Sequence, residues 1–134
     1  MFLDTSGLLC IHNKAEPQHV LAKKLFKDDR KEVTTSYVLS ELVTLAFVRG
    51  MSRAMTLSFV RKLRTSGTTT VVWVDEALHL AAMALLEKRA DKEYSLCDAV
   101  GFVLMRERQL AEALTTDRHF EQEGFLRLLP ESGS

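Results

Sequence analysis

Short apolar or β-branched runs alternate along this chain with apolar stripes at helical spacing. Met1-Phe2-Leu3 is too short for anything but a strand, and Asp4-Thr5-Ser6 closes it. Ser6 is placed to cap a short helix to about Asn13, and Pro17 suits the first turn of a second helix to about Arg30, with Val20, Leu21, Ala22, Leu25 and Phe26 as its buried stripe. Val33-Thr34-Thr35 reads as a β-branched second strand. Ser36 to Arg49 is apolar on almost every face, which predicts a deeply buried helix ended by Gly50 in a left-handed turn. Ser52 caps a fourth helix to about Arg64, where Met55, Phe59 and Leu63 recur at four-residue steps, so helices three and four form a hairpin.

Thr70 to Val74 is the plainest strand, followed by a helix capped by Asp75 and built on Leu78, Ala81, Ala82, Leu85 and Leu86. Ser95 opens a further helix to about Glu107, Ala113-Leu114-Thr115 is a strand ending near Asp117, and Phe125 to Leu129 is a last edge strand. The alternation predicts an α/β domain over residues 1–130, with a mainly parallel central sheet of about five strands and helices on both faces. The first strand is expected at its centre, and residues 131–134 as a flexible tail.

Composition changes this picture little. The 134 residues suit one domain, and eighteen basic residues balance eighteen acidic ones, so net charge gives no argument for nucleic acid and only local charge can. Cys10 and Cys97 lack metal-ligand spacing and read as small buried hydrophobes of a reduced, cytoplasmic protein. No basic-then-apolar leader precedes Asp4, and no apolar run approaches the roughly 18 residues that span a bilayer, so no membrane partner is expected. The scattered glycines form neither a P-loop nor a dinucleotide fingerprint, and the histidines have no zinc spacing; His119 alone falls near the acids below, as a hydrogen-bonding group.

Chemistry enters with four acids. Asp4 ends the central strand, where an open α/β sheet forms its ligand crevice, although it can also merely cap the next helix. Asp98, in Ser95-Leu96-Cys97-Asp98, fits a capping box, and Asp117 can cap a short helix after its strand. Glu41 lies on the nearly all-apolar third helix, where burying a carboxylate is costly unless something pairs with it. Each acid alone is weak; together they predict a pocket of oxygen ligands suited to Mg²⁺ or Mn²⁺ rather than zinc.

The motifs Leu3-Asp4-Thr5-Ser6, Ser40-Glu41-Leu42, Tyr94-Ser95-Leu96-Cys97-Asp98-Ala99 and Thr115-Thr116-Asp117-Arg118-His119-Phe120, in this order, resemble the PIN-domain ribonucleases, most closely the VapC-type toxins of toxin-antitoxin systems. The resemblance carries the family's acidic quartet onto Asp4, Glu41, Asp98 and Asp117, and its supporting hydroxyls onto Thr5 or Ser6 and onto Thr115. It implies Mg²⁺- or Mn²⁺-dependent RNA cleavage, with Asp4, Asp98 and Asp117 as ligands and Glu41 as ligand or water-orienting group. It also implies homodimerisation and inhibition by a small antitoxin protein.

Leu42 to Val74 holds Arg49, Arg53, Arg61, Lys62 and Arg64 and no acid, which makes it either a solvated helix face or a phosphate-contacting strip; Arg118 joins the same RNA-contact set. Met51, Met55 and Phe59 on the hairpin offer an apolar patch for a dimer. Two rival readings remain. A receiver-like signalling domain would use Asp75 as phospho-acceptor but lacks a matching Lys near Asp117, and a non-catalytic protein-binding module would leave four clustered carboxylates without a purpose.

Overall fold

The computed structural model describes residues 1–26 and 31–130. Five parallel strands, β1 (Phe2–Leu3), β2 (Glu32–Thr35), β3 (Thr69–Val72), β4 (Glu112–Leu114) and β5 (Leu126–Arg127), form one sheet in the order β3-β2-β1-β4-β5. The first strand is central, and order reverses beside it, between β1 and β4. A receiver-like fold has the order 2-1-3-4-5, so the strand order sets that reading aside. Asp75 is accounted for as a cap: its carboxylate accepts from the Leu78 amide at 2.8 Å.

Seven helices connect the strands: α1 (Thr5–His12), α2 (His19–Phe26), α3 (Ser36–Val48), α4 (Arg53–Thr65), α5 (Glu76–Lys88), α6 (Leu96–Glu107) and α7 (Arg118–Gln122). They cover both faces, so β1 is fully buried and reads as an unbroken apolar run. Phe2 packs against Phe120, which meets Phe102 of α6 edge-on. On α1, Gly7 lies so close to β4 that a Cβ there would stand 2.0 Å from the Leu114 carbonyl oxygen. No larger residue fits, and this approach holds the first turn of α1 against the end of β4.

Several expectations need correction. Ser6 lies inside α1, and Asp4 takes the N-cap position without its side chain capping the helix. Helix α2 starts at His19 rather than Pro17; Ala22 is its buried residue, while Val20 is 79% exposed and Leu21 is exposed too. Its expected end at Arg30 and the tail at 131–134 lie outside the described residues. Helix α3 buries Val38, Leu39, Leu42 and Ala46 but exposes Phe47, Val48 and Glu41, so it is amphipathic after all. An apolar side chain on the surface carries little penalty, and apolar content alone overstated the burial. Gly50 does adopt φ +82°. Strand β3 stops at Val72, leaving Trp73 64% exposed at the sheet edge, and β5 is shorter than expected. Met55 is exposed, but Met51 and Phe59 pack against the core, with Phe59 stacked on His12 at 4.7 Å.

Candidate metal centre

Three acids from distant parts of the chain converge at the carboxyl ends of β1 and β4. Asp4 leaves β1 with 5% exposure, and its amide donates to the Leu114 carbonyl at 3.2 Å, tying it to β4. Its Oδ2 accepts from Thr115 Oγ1 at 2.8 Å and from Ser6 Oγ at 3.3 Å, and these two hydroxyls are 3.1 Å apart. Each hydroxyl in turn accepts a backbone amide, Thr116 to Ser6 at 3.0 Å and Asp117 to Thr115 at 2.9 Å. Asp4 is therefore fixed by a hydroxyl network. Of the two alternatives for the hydroxyl beside it, Ser6 reaches it, while the Thr5 hydroxyl is buried next to Cys97.

Asp98 does close a capping box, with its amide donating to Ser95 Oγ at 3.0 Å and its Oδ2 accepting from the Ser95 amide at 3.1 Å. The same Oδ2 lies 3.1 Å from His119 Nδ1. Asp117 caps α7 by accepting the His119 amide at 2.9 Å, and its Oδ1 stands 3.4 Å from His119 Nδ1. The capping readings of Asp98 and Asp117 are thus correct and incomplete, because both carboxylates also face one imidazole. One ligand atom from each of Asp98, Asp117 and His119 lies within 4.8 Å of the others. His119 hydrogen-bonds as expected, yet its nitrogen is also a third donor in the cluster.

The electrostatics agree with this convergence. Asp4 is raised to about 7, first by burial, then by the nearby Asp98 charge, with Thr115 and the Thr5 backbone opposing and Asp117 adding to the rise. Asp98 is raised as well, chiefly by burial. Cys97 is pushed far up by burial and then by Glu41, Asp4 and Asp98, so the thiol sits among the acids. It is half-buried and packs against the core as well, and its place just ahead of Asp98 on the first turn of α6 was the available signal for its nearness to the acids.

Glu41 belongs to this neighbourhood through the field it exerts on Cys97, but it is exposed, so the argument from costly burial does not apply to it. Two carboxylates and one imidazole thus stand together beside a third, buried carboxylate, and the oxygen atoms of such a group are able to hold a divalent cation.

Most of the basic residues singled out lie on α4. Arg53, Arg61, Lys62 and Arg64 are exposed on α4, with Arg53 over the Phe47 ring and Arg64 over Trp73. Arg49 pairs with Glu16, and Arg118 is exposed beside Asp117.

A parallel sheet with acids gathered at its switch point defines a nuclease-like α/β domain, and the comparison with known families agrees: the PIN domain model matches residues 1–126, and this chain belongs to that family. It is 32% identical over 132 residues to proteins named 23S rRNA-specific endonuclease VapC20 from two strains of Mycobacterium tuberculosis, covering 98% of this chain and 99% of each relative. The crystal structure of Mycobacterium tuberculosis VapC20, described as a sarcin-ricin loop cleaving toxin, matches with a TM-score of 0.86 at 28% identity, over 96% of this chain and 98% of that one.

Proposed function

We propose that this protein is a Mg²⁺- or Mn²⁺-dependent endoribonuclease, the toxin of a VapBC-type pair, acting in the cytoplasm on ribosomal RNA. The observation that carries this reading is the convergence of Asp98, Asp117 and His119 within 4.8 Å, next to a buried Asp4, on a chain aligned end to end with a 23S rRNA endonuclease. Among the described residues no helix is long and apolar enough to cross a membrane.

Asp98 and Asp117 would hold the cation, with Asp4 completing the set and Glu41 approaching from α3. A bound divalent ion supplies Lewis acidity toward the scissile phosphoryl group and an acidified water as nucleophile. The chain's own residues do the positioning. Thr115 and Ser6 fix the Asp4 carboxylate, the capping box fixes Asp98, and His119 holds its Oδ2 oxygen. The exposed cations of α4, with Arg118, offset repulsion between RNA and the acids by contacting backbone phosphates. A homodimer forms through α3 and α4, with exposed Phe47, Val48 and Met55 as its apolar contacts. A small antitoxin protein is the inhibitory partner.

Purified protein incubated with labelled RNA should cut with Mg²⁺ or Mn²⁺, stop in EDTA, and lose cutting in Asp98→Asn. Metal-independent cutting, or full activity in that variant, defeats the reading. Arg61→Glu with Arg64→Glu should weaken RNA binding and lower the salt slope by about one to two. Light scattering at micromolar concentration decides the dimer.

A further inference from the structure

Beside the acids lies a cavity of about 280 Å³. Ser6 and Thr116 form the wall it shares with the metal centre, Leu9 and Leu45 line its body, and Glu16 and Arg49 supply charge. The wall is thin: Ser6 Oγ donates to Asp4 and accepts from the Thr116 amide. A group seated in the cavity is therefore next to the position of the reacting phosphate.

We propose that this cavity is a nucleobase subsite, taking a guanine from the nucleotide adjoining the scissile phosphate and so setting where an RNA is cut. The inference rests on the nuclease reading above and adds to it a base-recognition element. The volume suits a flat ring system and is too small for a folded peptide segment. Leu9 and Leu45 give apolar walls for ring faces. The Glu16 side chain is only 12% exposed and its Oε1 accepts from Arg49 Nη1, which fixes the carboxylate, with Oε2 and the second lone pair of Oε1 as acceptors, beside the other guanidinium N–H groups. Guanine alone presents adjacent N1–H and N2–H donors for a carboxylate, and its O6 and N7 match a guanidinium.

Both charges are felt inside the cavity, where Glu16 raises the Cys10 thiol and Arg49 lowers it against the larger effect of burial. Sequence-specific RNA recognition commonly takes unstacked bases in this way. A base held here anchors RNA without adding negative charge to a site already crowded with carboxylates.

The test uses guanosine and adenosine 5′-monophosphates, titrated against the full chain in EDTA by NMR so that no activity is needed, beside end-mapping of cuts in a random RNA with Mn²⁺. Wild type should bind the guanosine nucleotide about tenfold more tightly than the adenosine one. Glu16→Gln should lose that preference, and Leu45→Trp, which fills the cavity, should weaken both. Cuts should fall next to guanine in wild type and spread to other bases in Glu16→Gln. Because Glu16 is on a loop, that variant tests the idea even if Leu45→Trp misfolds.

Equal affinity for both nucleotides, binding of neither, or a preference unchanged in Glu16→Gln overturns the subsite. Guanosine binding without RNA cutting keeps the subsite and defeats the nuclease reading; cutting without base preference does the reverse. Protection of the cavity by a partner protein alone, with no nucleotide binding, also overturns it.

Discussion

The two ends of the sheet each bury a carboxylate. At the carboxyl end, Asp4 is raised to about 7; at the amino end, Glu32 of β2, 1% exposed, is also raised to about 7, and burial is the leading cause at both. Their surroundings differ. Asp4 feels two more acids and accepts two hydroxyls, one of which also orients the Asp117 amide. Glu32 accepts Thr69 Oγ1 at 3.2 Å, feels the chain's amino terminus, and has no other acid among the causes of its shift. A perturbed pKa thus reports burial at both ends, and only the convergence of ligand groups separates a candidate site from a buried acid in a strand.

Exchanging the two carboxylates for amides tests that separation most directly. Asp4→Asn should lower RNA cleavage by about 10²-fold or more. Glu32→Gln should leave the rate of the folded protein within about twofold. Equal losses in single-turnover assays would erase the difference between the ends.

Stability against pH should instead treat them alike. Each carboxylate has a folded pKa above its unfolded value, so the folded state keeps a proton that the unfolded chain has released. Metal-free stability therefore falls as pH rises from about 4 to about 7, by about 4 kcal/mol per group at most. Urea melts in EDTA at pH 4.5 and 7.5 should show a shallower loss in Asp4→Asn and in Glu32→Gln, and the shallowest in the double variant. A slope equal to wild type in either single variant removes that group from the account.

Manganese should then part them again. At about 100 times its dissociation constant it should add about 2.7 kcal/mol to wild type and to Glu32→Gln, and less to Asp4→Asn, as melting shifts at pH 7.5. Equal shifts in all three proteins would mean that Asp4 is no ligand. The smallest expected effect is at the hydroxyls: Thr115→Val should lower cleavage by roughly 10-fold while keeping a manganese shift, because the ligands remain and only the Asp4 orientation is lost.

The central strand was readable because burial on both faces leaves it an unbroken apolar run, β2 and β3 because of their β-branched residues, and Asp4, Asp98 and Asp117 because each marks a strand end or helix start. Glu41 was singled out for a burial it does not have. Glu32 was passed over, although an acid heading Val33-Thr34-Thr35 was visible. Local pattern gave Ser6 a capping role, and only the family resemblance pointed to it as a supporting hydroxyl, since nothing near it in the chain announces a hydrogen bond to Thr115, 109 positions on. The Glu16 and Arg49 pair was hidden for the same reason, being made across loops by tertiary packing.

The bond between Thr115 and Asp4 spans 111 positions of the chain. Ribosomes add roughly 5 to 20 residues per second, so several seconds pass between synthesis of the first acid and synthesis of the hydroxyl that fixes it. Until β4 emerges, β1 lacks one neighbour and the acids have no common site. A nascent chain thus lacks an assembled site for almost the whole of translation, and a product truncated before Asp117 should not cut RNA.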